Sequence, residues 1–209
     1  MKYAKHTLTA IFISFVVSSL SAQLVIEDFE SYFDSGSLKA DVFTFGSAAQ
    51  AGKPSLAMGL GENYTNAACF NLTWETGNNA NLCFINLSPN TKNLSGYAEI
   101  TAHVFLEDYP TADGLGETST ATVMKLALEG IDGSIWQTRT VKAERLPVDS
   151  AYKARFRLSP ADMERVEGTG SFQNTLSSVK NIRVRFENSR RSGFRQDAYI
   201  DSITAVRAQ

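Results

Sequence analysis

The sequence predicts an all-β protein, a two-sheet antiparallel β-sandwich with one short connector helix. Three observations lead there. Apolar residues recur at every second position in segment after segment, the period that gives a strand one dry and one wet face. Turn-forming residues separate these segments, at Gly52-Lys53-Pro54, Ser88-Pro89-Asn90, Asp113-Gly114 and Asp132-Gly133. Helix-start chemistry is convincing at one place only, Ser159. Many short strands with one apolar face are satisfied by packing two sheets together. No repeat, low-complexity stretch or linker interrupts the chain, so residues 23–209 read as one sandwich domain.

Residues 1–22 read as a secretory signal peptide. Lys2 and Lys5 precede an apolar run over residues 8–17, and the small residues Ser18, Ser19, Ser21 and Ala22 follow. The run falls short of the roughly 20 apolar residues of a membrane span. Cleavage is expected after Ala22, giving a secreted or periplasmic protein without a membrane span. Directly after the cut, Leu24, Val25 and Ile26 open a strand that leads into the acids Glu27, Asp28 and Glu30.

Cys69 and Cys83 flank a segment with Gly77-Asn78-Asn79 near its middle, which reads as a hairpin. Symmetrical closure sets Cys69 opposite Cys83, Phe70 opposite Leu82 and Leu72 opposite Ala80. In an oxidising compartment the facing pair is expected to form a cross-strand disulfide, with two buried thiols as the alternative. The pair lacks the Cys/His company of a zinc site.

Further along, Ile100, Ala102, Val104 and Leu106 alternate with Glu99, Thr101 and His103. Met124, Leu126 and Leu128 lead into the turn at Asp132-Gly133, and the chain returns over residues 135–141. That hairpin places Trp136 on the face of Leu126 and Leu128, a core position. Its other face gathers Lys125, Gln137 and Arg139, either a ligand surface or a plain wet face. Tyr152, Ala154, Phe156 and Leu158 form the next alternating strand. Ser159 then offers an N-cap, Pro160 the first helical position and Asp162 an acid facing the free N–H groups, with Gly168 and Gly170 ending the segment. A connector helix over residues 159–166 is expected. Ile182, Val184 and Phe186 alternate with Arg183, Arg185 and Glu187 in a late strand.

Charge excludes one class of partner. Loss of Lys2 and Lys5 takes Lys+Arg from 20 to 18 against 22 acids, a net charge near −4. A nucleic-acid binder needs a basic surplus for its phosphate contacts. The charge is uneven, however. From position 151 onward there are 11 Lys+Arg against 6 acids, Arg155, Arg157, Arg183, Arg185, Arg190, Arg191 and Arg195 among them. Such a run is either a solvated strand face or a patch for an anionic ligand.

The opening segment from Ile26 to Tyr32 resembles the first strand of galactose-binding-like jelly-roll modules found beside secreted polysaccharide-degrading enzymes. The closing segment from Ala198 to Thr204 resembles their last strand, with Asp201 in its apolar setting. Between them, residues 52–58 are similar to the second strand and its small-residue turn, and residues 131–136 to the mid-chain hairpin. The resemblance implies that first and last strands lie together and that a structural Ca2+ sits there. Glu30 and Asp201 match the family pattern, and Asp28 is a third candidate ligand. Calcium takes six to eight oxygen ligands, so backbone carbonyls near residues 52–55 are expected to complete its shell. The resemblance also implies a carbohydrate ligand, held by aromatic rings that stack on sugar faces beside planar polar groups. Trp74, Tyr64, Tyr109 and Arg139 are the candidates, Trp74 for its place near the hairpin tip. Tyr97 lies beside a loop as well.

No catalytic constellation stands out. The two histidines are His6, in the leader, and His103, in a strand and read as an ordinary strand residue. There is no Gly-x-Ser-x-Gly elbow and no histidine pair for a metal hydrolase. The Gln, His, Tyr and Arg strand pattern of jelly-roll lyases is missing too. The sequons at Asn63, Asn71, Asn86 and Asn93 read as polar loop and strand residues. The expectation is a secreted, non-catalytic, monomeric module that binds a polysaccharide or oligosaccharide. A structural or adhesive cell-envelope protein with a protein partner is the alternative, and a polysaccharide lyase or hydrolase a third.

Overall fold

Period-two alternation becomes two antiparallel sheets packed face to face. The computed structural model describes residues 23–46, 54–74, 81–86, 92–109, 122–139, 144–145, 150–188 and 194–208. Residues 1–22, the turns expected at 52–53, 77–79, 88–90 and 113–114, and Arg190 and Arg191 lie outside the described residues. So do the side chains of Trp74, Cys83 and Tyr109.

In chain order the strands are β1 (Gln23–Glu27), β2 (Val42–Gly46), β3 (Ser55–Ala57), β4 (Ala67–Trp74), β5 (Asn81–Asn86), β6 (Tyr97–Tyr109) and β7 (Thr122–Gly130). They continue with β8 (Ile135–Thr138), β9 (Glu144–Arg145), β10 (Tyr152–Arg157), β11 (Met163–Glu167), β12 (Val179–Asn188) and β13 (Phe194–Arg207). One sheet, A, runs β10-β6-β13-β4-β3, with β1 also on β13. The other, B, runs β11-β8-β7-β12-β5-β2, with β9 on β7.

The inward residues make one apolar cluster from both sheets. Ile100, Ala102, Val104 and Leu106 of β6 and Ile182, Val184 and Phe186 of β12 are 3% exposed or less. Burying such side chains drives folding at roughly 25 cal/mol per Å² removed from water. The β7–β8 hairpin closes as expected, Leu128 opposite Trp136. Trp136 packs against the core with its ring 5.2 Å from that of Phe172.

Two expectations fail here. Cys69 and Cys83 do not share a hairpin. Cys69 lies in sheet A opposite Tyr199 and Ser55, whereas Cys83 lies in sheet B opposite Val184 and Thr44. The Cys69 thiol is buried on the outward face of sheet A with Ala67 and Tyr199, and no disulfide is formed at it. The connector helix also fails. Ser159 does cap a turn, accepting from the Asp162 and Met163 amides, but the chain then extends as β11 along β8. One turn satisfies the cap, and ladder bonds to β8 outcompete a helix that two glycines would stop within eight residues. The helices present are α1 (Ser35–Asp41), closed by an Asp34–Ser37 capping box, and α2 (Phe172–Ser177), capped by Ser171.

β13 organises sheet A. It pairs along β6 on one side, and on the other first with β4 and then with β1. The handover falls at an irregularity after Asp201, where Ser202 takes a left-handed φ of 50°. Asp201 therefore faces outward in the gap between the end of β1 and the start of β4.

Candidate functional site

The strands that bury Val104 and Ile200 inward must turn their other residues outward. On β6 these are Thr101, His103, Phe105 and Glu107, and on β13 Asp197, Tyr199 and Asp201. The loop over residues 59–66 rises along one side and the start of β10 along the other. Together they bound a cleft of about 850 Å³. Its floor is the pair Phe105 and Tyr199, ring centroids 5.7 Å apart. The Tyr199 hydroxyl donates to Glu107 Oε2 at 3.2 Å. Tyr152 forms a wall, its hydroxyl donating to Glu144, and that bond to a carboxylate raises the phenol's pKa. Tyr64 stands on the rim, 91% exposed. His103 is flanked in register by Lys153 and Asp201, and its Nε2 meets Glu62 Oε2 at 3.1 Å.

The loop that carries Tyr64 is held in an unusual shape. Gly59, Asn63 and Tyr64 all have left-handed φ values, of 72°, 55° and 65°. The Gly61 amide donates to Thr65 O at 2.8 Å and the Thr65 amide returns to Glu62 O at 3.2 Å. From below, Asp201 Oδ2 accepts from the Glu62 amide and from Thr65 Oγ1, both at 2.9 Å. Left-handed non-glycine residues persist only where surroundings over-determine them. Among the described residues these are Phe29, Asn63, Tyr64 and Ser202. Two lie in this loop, and the others adjoin Glu30 and Asp201.

Glu30 and Asp201 thus reach one loop from opposite ends of the chain, for Glu30 accepts from the Asn66 amide. Asp28 is exposed and accepts from the Glu30 amide at 3.2 Å. Asp201 is 3% exposed, and its Oδ1 is buried without a hydrogen-bond partner. A β-carbon on Gly61 would meet Asn66 O, Asp201 Oδ2 and Thr65 Oγ1, each at 2.7 Å, so hard oxygens converge there on a space that only glycine leaves open. Among the described residues no three His, Cys, Asp or Glu side chains gather as a metal site. Any cation here therefore relies on backbone and hydroxyl oxygens beside the carboxylates.

The other sequence candidates scatter. Trp74 and Tyr109 stand opposite Phe194 and Arg195, at the end of sheet A where β13 begins. Arg139 follows β8 of sheet B, away from the cleft, and its Nε donates to Ala161 O at 3.1 Å, beside β11. Tyr97 lies under the Arg207 guanidinium, 5.3 Å from its ring centroid. Lys125 and Gln137 do share the outward face of sheet B, but buried and engaged. Lys125 pairs with Glu187 at 2.8 Å, and Arg185 bonds both Glu187 and Gln137. The cleft residues His103, Phe105, Glu107, Tyr152 and Tyr199 were missed. Alternation marks them as outward, but only the β10-β6-β13 order makes them neighbours.

No protein-family model and no curated protein matches this sequence. Solved structures do share its fold. The family 11 carbohydrate-binding module of the cellulosomal cellulase Lic26A-Cel5E of Clostridium thermocellum aligns with a TM-score of 0.54 at 14% identity, over 91% of this chain and 97% of that one. A family 11 module from Clostridium thermocellum in complex with a β-1,3-1,4-mixed-linked tetrasaccharide aligns at 0.53 and 14%, over 89% and 96%. A family 28 module specific for non-crystalline cellulose aligns at 0.54 and 12%, over 81% and 90%. The fold is the β-sandwich jelly roll of these carbohydrate-binding modules. No helix among the described residues is long and apolar enough to cross a membrane.

Proposed function

We propose that this chain is an exported, non-catalytic carbohydrate-binding module that holds part of a polysaccharide or oligosaccharide in the cleft over β6 and β13. The observation that carries this reading is the lining of that cleft. Rings at Tyr64, Tyr152, Phe105 and Tyr199 offer flat apolar surface, and Glu62, Glu107, His103 and Lys153 stand beside them. A sugar ring presents the matching chemistry, apolar faces edged by hydroxyls. A volume of about 850 Å³ lies in the range of small-ligand sites and suits a short run of sugars. The family 11 and family 28 neighbours are binding modules by title and align over nearly their whole length, which supports binding over turnover.

A calcium ion belongs to the same proposal. Asp201 Oδ1, the Glu30 carboxylate and loop carbonyls such as Asn66 O would hold it. Its charge would compensate a buried carboxylate oxygen that otherwise loses hydration without return. It would tie the Tyr64 loop to both chain ends.

Affinity electrophoresis through gels containing neutral or acidic polysaccharides tests the binding site. Retardation is expected on at least one glycan, weakened about three- to tenfold by Tyr64→Ala, as loss of one aromatic contact implies. A second face has its own observation in favour: on sheet B the planar groups of Gln137, Asn181, Arg183 and Arg185 are fixed by mutual bonds with Glu129 and Glu187. Retardation lost in Gln137→Ala and retained in Tyr64→Ala would move the site there. Free migration on every glycan would refute the carbohydrate reading.

A further inference from the structure

We propose that the glycan is anionic, and that Lys153, Arg155 and Arg157 of β10 bind its acid groups as it leaves the cleft. This rests on the cleft being the glycan site. β10 is an edge strand of sheet A, and these three alternate positions are exposed while Ala154 and Phe156 between them are buried. Successive members lie about 6.6–6.8 Å apart along the strand. The ladder begins inside the cleft, which Lys153 lines. It ends at a separate hollow of about 210 Å³ lined by Arg155 and Arg157 together with Thr138 and Asp162.

These three cations carry no salt bridge or hydrogen bond among the described residues, and what sets them apart from others of that kind, such as Lys39 and Lys180, is that they stand in one row on one strand. Several other cations on the strands are engaged: Lys125 with Glu187, Arg183 with Glu129, Arg185 with Glu187 and Arg165 with Thr169 O. Across the ladder on β6 stand His103, Thr101 and Glu99, so only Arg157 faces an acid in register. The acids of the cleft are used internally instead, Glu62 by His103, Glu107 by Tyr199 and Asp201 by the loop. An exposed row of like charges, open at one end into a ring-lined cleft, fits a polymer with a repeating anion. Charge on an edge strand also discourages sheet-to-sheet pairing, but either sign serves that purpose. A glycan is favoured over a nucleic acid because the row opens into the cleft already read as the glycan site, which Lys153 lines.

The test is affinity electrophoresis of the exported protein in polygalacturonate, dextran sulfate, a neutral mixed-linked β-glucan and double-stranded DNA, at low and high salt. The wild type is expected to bind polygalacturonate or dextran sulfate more tightly than the neutral glucan, with affinity falling as salt rises. The two acidic gels separate carboxylate from sulfate as the recognised group. Changing all three cations to Gln should weaken acidic-glycan binding about tenfold or more, at two- to fivefold per cation. Changing all three to Glu should abolish it while keeping the edge charged. Both variants should melt with the wild type. Unchanged retardation of the Gln variant would overturn the inference, as would DNA binding as tight as glycan binding. Binding to the neutral glucan alone, sensitive to Tyr64→Ala, would overturn it and leave the cleft reading intact. Free migration in every glycan gel would overturn both.

Discussion

Asp201→Asn separates two accounts of the junction between the chain ends. In the wild type one carboxylate oxygen takes the Glu62 amide and the Thr65 hydroxyl, and the other is buried alone. The asparagine oxygen can accept the same two bonds, so only the charge and the lone oxygen change. In chelator the variant should be at least as stable as the wild type, because a poorly compensated buried charge has gone. With calcium at a hundredfold excess over its Kd, the wild type should gain about 2.7 kcal/mol. For a chain of this size that is a rise in Tm of about 5–10 °C. Asp201→Asn should gain almost none of it. Asp201→Ala should lose about 1–3 kcal/mol with or without calcium, since the Glu62 amide is stranded while the Thr65 hydroxyl keeps Glu62 O as acceptor. Thermal melts in EDTA and in calcium, with elemental analysis of the protein, make the comparison. A wild type that ignores chelator, with Asp201→Asn melting below it, would show that the protein's own donors satisfy this carboxylate.

Gly61→Ala is expected to cost about 1–3 kcal/mol and to weaken glycan retention, because its β-carbon meets three oxygens at 2.7 Å while a φ of −81° allows any residue. Wild-type melting and retention in this variant would mean the loop yields freely. Burial raises the Glu129 pKa, but hydrogen bonds from Asn181 and Arg183 and the guanidinium charge outweigh it and hold the carboxyl below its usual 4.5. A depressed carboxylate contributes its full stability above the unfolded value and loses it as pH falls through the folded one. Melts between pH 3 and 7 should therefore fall off below about 4.5, and Glu129→Gln should flatten that fall from a lower plateau. Parallel curves would remove Glu129 from the acid response.

Strand identity was largely legible, because alternation reports directly on which residues face the core. The β6, β7, β8, β10 and β12 patterns needed nothing beyond it. Partner choice was not. Phe70 and Leu72 alternate equally well beside β5 or beside β13, and Gly77-Asn78-Asn79 suggests a hairpin, whereas β4 and β5 lie in different sheets. The Ser159 cap was real, yet a cap specifies one turn and leaves the next residues to tertiary competition. Asp34 and Ser171 head helices too short for apolar periodicity to announce. At the site, Asp201 is visible as an acid in an apolar strand, whereas His103 acquires its setting from Glu62, Lys153 and Asp201, all at least forty-one positions away in the chain.

The central place of β13 in sheet A has a consequence for the order of events during synthesis. The strand made last among those described is the one that β6, β4 and β1 all need. Until residues 194–207 have been made, those three strands have no shared partner, and the pairing of Gln23 with Val206 spans nearly the whole described chain. Contacts of such long range make for slow folding and leave strand edges open meanwhile. Sheet A is therefore expected to assemble only after translation has passed the end of β13, and a chain cut short before it should collect as aggregate or be degraded.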